Sequence, residues 1–204
     1  MSEELIVKTK VPSPKVCGNM SVEEALANRQ SQRDFQDIAI SADQLLQILW
    51  ATYGVTPPDG LRTTPSAGAI YPLEVYAVIG NVEGIESGVY RYIPDKHEVV
   101  KTVGGDVRRK LCEAALNQKM VAKAPASVVF STVLSRMTKK YGDRGVPYVY
   151  VEVGHAAQNV YLQAEALGLG TCAVGAFTDK SVKQILHLPA KEEPLYLMPI
   201  GYCR

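Results

Sequence analysis

Residues 146–167 constrain this chain most, because their apolar side chains recur with the period of a helix. Val153, Ala157, Val160, Ala164 and Leu167 fall at i, i+4, i+7, i+11 and i+14, a single stripe along one buried face. Gly168 and Gly170 then end the pattern. Shorter elements surround it. Ser21 caps a helix reaching about Asn28 or Arg29, with Glu23 and Glu24 in the first turn, where carboxylates favour the helix dipole. Ser41 caps a second helix, with Leu45, Leu46, Leu49 and Trp50 on its buried side and Gly54 at its end. Strands are expected at 74–79, 88–93, 97–102 and 126–132, with short strands at 171–174 and 195–200. Helices are expected at about 105–116 and 179–187, and Pro189 and Pro194 bound the loop before the last strand. Residues 55–72 read as a long loop rich in Pro, Gly, Ser and Thr, which in a compact domain is usually functional. The sequence predicts an extended arm over residues 1–20, with Pro12, Pro14 and Gly18, and a single α+β domain over 21–204.

Composition removes several function classes. Lys plus Arg is 22 against 21 Asp plus Glu, a net charge of +1, so no broad field exists to grip a nucleic-acid backbone. A local patch can still hold a phosphate. The cysteines, Cys17, Cys112, Cys172 and Cys203, form no CxxC pair and have no zinc spacing, which points to a reducing compartment. MSEELIVKTKVPSPK carries no apolar signal core, and no apolar run reaches the ~20 residues that span a bilayer. A cytoplasmic protein without nucleic-acid or membrane partners is expected.

Four constellations carry chemistry. In Arg29-Gln30-Ser31-Gln32-Arg33, alternate residues of an extended chain point one way, setting two guanidinium forks beside a hydroxyl. That trio suits a phosphate with an adjacent polyol, although a solvated basic loop has the same composition. Thr63–Pro72 has small residues that let the backbone approach a ligand, or it is a tight connector. Gly168–Phe177 resembles a dinucleotide fingerprint, but a helix precedes it and a strand follows, the reverse of a Rossmann turn. What is left is a glycine-bearing apolar segment that can lie along a flat ring. Glu152, His155 and Asn159 share one face of the long helix; without a second Glu-x-x-His copy a metal site is not supported, and a buried structural histidine is expected. His155 with Cys172 is nominally a base and nucleophile, yet no orienting third group is marked.

Taken in order, SVEEALANRQSQRDF, PSAGAIYPLEVYAV, APASVVFSTV, VEVGHAAQNVYLQAEALGLGTCAVGAF and PIGY resemble the nitroreductase-like flavoproteins. The branch resembled contains the dehydrogenases that turn azolines into azoles in modified peptides. The likeness runs from about Ser21 to Gly201. It implies a mostly antiparallel sheet flanked by helices, in an intertwined homodimer with the long helix at its centre. It also implies FMN at two interfacial sites. Arg29, Gln30, Ser31 and Arg33 match the segment that grips the phosphate and ribityl chain, and Pro65, Ser66 and Ala67 the segment given by the partner. Asn117 and Gln118 fall near the pyrimidine edge; Val174, Gly175 and Ala176 match the segment under the ring, whose backbone N–H meets N5. Where many relatives place a lysine near N1/O2 this sequence has Met120, leaving Lys119 or Lys123 to substitute. Relatives often add basic residues after the last strand; here Arg204 falls there.

The resemblance thus implies an FMN-dependent oxidoreductase passing hydride through N5 in a ping-pong cycle, NAD(P)H-linked or acting as a substrate dehydrogenase. A flavin storage or sensor protein is the competing class, and a Cys172 hydrolase a third. Loops over the flavin set the acceptor, and residues 133–147 are the variable segment.

Overall fold

The computed structural model of the protein describes residues 13–204. The first twelve residues of the expected arm, Pro12 among them, lie outside the described residues, and residues 13–20 form neither helix nor strand. Ser21 Oγ accepts the Glu24 N–H while the Glu24 carboxylate accepts the Ser21 N–H, a reciprocal cap that starts α1 (Val22–Asn28). Ser41 and Gln44 repeat the device at α2 (Ala42–Tyr53). Leu45, Leu46 and Leu49 are buried as expected, but Trp50 is only half-buried and donates its indole N–H to the Val55 carbonyl.

The segment expected as a structureless loop is partly ordered. Strand β1 (Val55–Thr56) pairs with β2 (Leu61–Arg62), and a short 3-10 turn covers Ala67–Ala69. The main chain then builds β3 (Leu73–Ile79), β4 (Gly88–Ile93), β5 (Glu98–Gly104), α3 (Arg108–Ala114), α4 (Lys119–Lys123) and β6 (Ala126–Thr132). After these come α5 (Leu134–Tyr141), α6 (Gly145–Ala166), β7 (Gly170–Thr171), α7 (Asp179–Ile185) and β8 (Glu193–Gly201). Six strands form one antiparallel sheet in the order β5-β4-β3-β6-β8-β7, so the architecture is α+β with a mostly antiparallel sheet. Two expectations change. Residues 133–147 hold helix α5, not a loop, because Leu134, Met137 and Tyr141 repeat at helical spacing and pack on the core. Pro194 lies inside β8, opposite Ser131, where the ladder shifts register and tolerates a missing N–H.

Strands β3 and β6 are buried along their whole length. One core cluster joins them to α2 and α6 through Leu45, Leu49, Val153, Ala157 and Val160; the other faces α3, α4 and α7 through Leu111, Val121 and Val182. Truncating Leu45, Leu49 or Leu111 to alanine costs about 2–5 kcal/mol by the usual transfer and cavity terms. The opposite face of α6 is open: Tyr150 is 60% and Val151 55% exposed, beside exposed Gly154 and His155. His155 is therefore not the buried histidine expected. The apolar stripe turns Val153, Ala156 and Ala157 inward, which carries position 155 to the outer side. Among the described residues no helix is long and apolar enough to cross a membrane.

Candidate active site

Helix α6 carries the joint of the site at Tyr161. Its hydroxyl lies 2.9 Å from Ser31 Oγ and accepts the Ala173 N–H at 2.9 Å. Ser31 forms a parallel bridge with Thr171, and the Gln32 N–H donates to the Thr171 carbonyl at 2.9 Å. The Arg29 guanidinium lies 5.4 Å from the centre of the Tyr161 ring. The 29–33 segment is thereby laid along 171–173. Sequence reasoning missed Tyr161; the available signal was a tyrosine directly beside the apolar stripe, with its ring half-buried and its tip free to hydrogen-bond.

Neither Arg29 nor Arg33 makes an ion pair among the described residues. Arg33 is exposed, and its charge acts on the buried Cys172 thiol. Burial pushes that thiol up, against Arg33, so Cys172 is held as the neutral thiol and is a poor nucleophile. His155 is not among the groups acting on it. The last residues close the same region: Cys203 bridges Phe35, and the Arg204 N–H donates to the Asp34 carbonyl at 3.1 Å. Lys123 pairs with the Asp34 carboxylate at 3.3 Å, Lys119 is exposed, and Met120 is buried in the second core cluster.

Gln118 Nε2 donates to the carbonyls of Ala115 and Ala176, each at 3.0 Å. Leu116 and Asn117 take left-handed backbone at φ 57 and 59, a turn that leaves Asn117 exposed between α3 and α4. Val174 exchanges both backbone hydrogen bonds with Leu197, at 2.8 and 3.0 Å, so its N–H is spent on the sheet. The N–H groups of exposed Gly175 and Ala176 make no backbone hydrogen bond among the described residues.

Pro65, Ser66 and Ala67 lie elsewhere. Ser66 accepts the Tyr71 N–H at 3.0 Å and donates to Glu152 Oε2 at 2.6 Å; Tyr53 donates to Glu152 Oε1. A cavity of about 280 Å³ is lined by these loop residues with Tyr148, Glu152 and His155. Nine positions of α6 separate Glu152 from Tyr161, about 13.5 Å along the axis. One chain thus joins 29–33 to 171–173 at Tyr161, links Gln118 to Ala176 and Arg204 to Asp34, and leaves 65–67 apart on Glu152. A larger cavity of about 440 Å³ lies between the arm and α2, lined by Lys15, Gln44, Gln47 and Glu83 among others, and contains none of the expected site residues.

The fold is that of the nitroreductases. A nitroreductase-type structure from Ralstonia eutropha is 27% identical, with a TM-score of 0.83 over 97% of this chain and 90% of that one. One from Anabaena variabilis is 28% identical, with a TM-score of 0.81 over 90% of this chain, which spans 38% of that protein. Residues 26–202 match the nitroreductase family, and the chain belongs to it: it is a nitroreductase-family oxidoreductase. A Methanocaldococcus jannaschii protein named as a nitroreductase is 47% identical over 182 residues, 89% of this chain and 91% of that one. The microcin B17-processing protein McbC of Escherichia coli is 28% identical over 62% of this chain, a match that covers 48% of McbC.

Proposed function

We propose that the protein is an FMN-dependent oxidoreductase acting as a homodimer. In this reading each flavin is held by Arg29–Arg33 and Gly175–Ala176 of one subunit and covered by the partner's Pro65, Ser66 and Ala67. The observation that carries it is the Tyr161 joint, which links arginines without an ion pair to two backbone N–H groups without a backbone hydrogen bond, both among the described residues.

The donor set fits the cofactor. Arg29 and Arg33, free of acid partners among the described residues, with the Ser31 hydroxyl between them, suit a phosphate and a polyol. The Val174 N–H is spent on Leu197, so Gly175 or Ala176 is the group left to meet the N5 edge. Gln118 pins Ala176 and so holds that edge in place. FMN bound there supplies hydride acceptance and release at N5, and no side-chain acid or base is required of the protein.

The dimer accounts for two further features. Tyr150, Val151 and Gly154 form an exposed apolar stripe on α6 that a second copy can cover. The 65–67 segment is bound to Glu152, nine positions of α6 away from Tyr161, and so is placed to serve the other subunit rather than its own joint. A dimer formed this way buries about 2,000 Å² or more. The hydride donor is NAD(P)H or an organic substrate; likeness to a protein named for peptide processing makes substrate dehydrogenation worth testing beside nitro reduction.

The test is anaerobic turnover. FMN-loaded protein is mixed with NADH or NADPH, then with a quinone or a nitroarene. Bleaching followed by recovery over repeated cycles is expected. Bound flavin that exchanges hydride with no donor and no acceptor, though dithionite reduces it, contradicts the enzyme reading.

A further inference from the structure

We propose that Glu152 is the positioning residue of the Pro65–Ser66–Ala67 segment, its carboxylate fixing the loop that completes the flavin site of the other subunit. The inference rests on the dimeric flavin reading above.

Glu152 sits in the middle of α6 and is 2% exposed. A buried carboxylate is expensive, and an apolar residue of similar volume generally serves a core better. Here both oxygens are engaged. Ser66 Oγ receives the Tyr71 N–H, so its own proton is directed at Glu152 Oε2, 2.6 Å away. Tyr53 Oη likewise receives the Leu73 N–H, at 3.4 Å, and gives its proton to Glu152 Oε1. Two hydroxyls locked as donors need two acceptor oxygens on one side chain. A carboxylate meets that demand; a Gln amide, with one acceptor oxygen, leaves one hydroxyl facing an N–H group. The Arg62 guanidinium, 4.4 Å from the Tyr53 ring centre and 4.7 Å from that of Tyr71, supplies positive charge nearby. The hydrogen bonds tie α2, α6 and the loop together at the wall of the 280 Å³ cavity.

Burial still raises the Glu152 carboxyl above the ordinary carboxylate range, over the opposing pull of Ser66, Tyr53, Arg62 and His155. A carboxyl with a raised folded value favours its protonated form on folding, so its ionised form at neutral pH lowers fold stability. The charge itself therefore does not favour the fold; what Glu152 returns is the pair of hydrogen bonds that fix Ser66 and Tyr53.

FMN affinity and Tm are measured together at neutral pH on dimeric protein. E152Q should bind FMN about tenfold or more weakly, with Tm little changed, because removal of the buried charge offsets the mismatched hydroxyl. E152D, which keeps two acceptor oxygens, should recover part of the affinity. S66A should weaken FMN binding similarly, and the double variant should lose no more than either alone, because both act through one contact. E152Q binding within twofold of wild type overturns the proposal, as does a loss of affinity that merely follows a fall in Tm. Should E152Q not fold, full FMN affinity in S66A overturns it. A wild-type dimer that binds no FMN instead removes the reading on which the proposal stands.

Discussion

The hydroxyls of Ser31 and Tyr161, 130 residues apart in the chain, meet at 2.9 Å. The same tyrosine oxygen accepts the Ala173 N–H. One atom on the long helix therefore ties the arginine-bearing segment after α1 to the glycine-bearing segment after β7.

Removing that atom should loosen both segments at once. Tyr161→Phe keeps the ring under Arg29 but strips the acceptor from the Ala173 N–H. A lost hydrogen bond of this kind lowers stability by about 1 kcal/mol, read from urea unfolding. FMN affinity should fall several-fold in the same variant. Unchanged affinity would show that the joint does not order the site.

Gly170 tests the same junction from its other side. A β-carbon there would lie 2.0 Å from Cys203 Sγ and 2.8 Å from Gln32 Cβ. Gly170→Ala must push the 31–33 segment or the C-terminal bridge outward, an overpacking cost of about 1–3 kcal/mol. Thermal unfolding should show the drop, and FMN titration a weaker complex.

Legibility in the sequence followed locality. The N-caps at Ser21 and Ser41, strand Ala126–Thr132 and the long helix are readable because each is set by neighbours within a few positions. Helix α5 is hard to read because Ser135, Lys139 and Lys140 dilute an apolar pattern of only three residues. The exposure of His155 and the interior place of Pro194 depend on what lies across the helix and across the ladder, which no local pattern encodes. Candidate ligand segments were visible as residue types. The joining of 29–33 to 171–173 and of Gln118 to Ala176 was not, since each needs the fold. The spent Val174 N–H is likewise a tertiary fact.

Alkaline pH should unfold the protein early. Burial first, then the nearby carboxylates Glu152 and Glu192, raise the Tyr53 and Tyr76 phenols above the ordinary tyrosine range. The fold then keeps protons that the unfolded chain releases above about pH 10. The stabilising effect is present below that pH and is lost as pH rises past it. Tm followed from about pH 8 to about pH 11 should fall steeply at the upper end, and Tyr53→Phe should flatten the fall. An unchanged slope in that variant would contradict the assignment.

A shared site predicts complementation. Arg33→Ala and Ser66→Ala homodimers should each bind FMN weakly, because every site carries one defect. Co-expressed with different tags, the mixed dimer should hold one intact site and one doubly defective site. Half of its sites should then bind with wild-type affinity. No recovery would mean that Arg33 and Ser66 serve a site within one chain.

In the proposed site FMN sits on the 29–33 segment with its phosphate end toward Arg33. Titration of FMN into the purified dimer, followed at about 450 nm where bound flavin absorbs, tests it most directly, with Arg33→Ala alongside. One FMN per chain is expected in the wild type. The affinity of the variant should be about ten- to a hundredfold lower, the loss of about 1.5–3 kcal/mol expected for a charge-assisted hydrogen bond. The flavin-saturated variant should still be reduced at close to the wild-type rate. A folded dimer that takes up no FMN, or an Arg33→Ala variant with full affinity and a collapsed reduction rate, would contradict it.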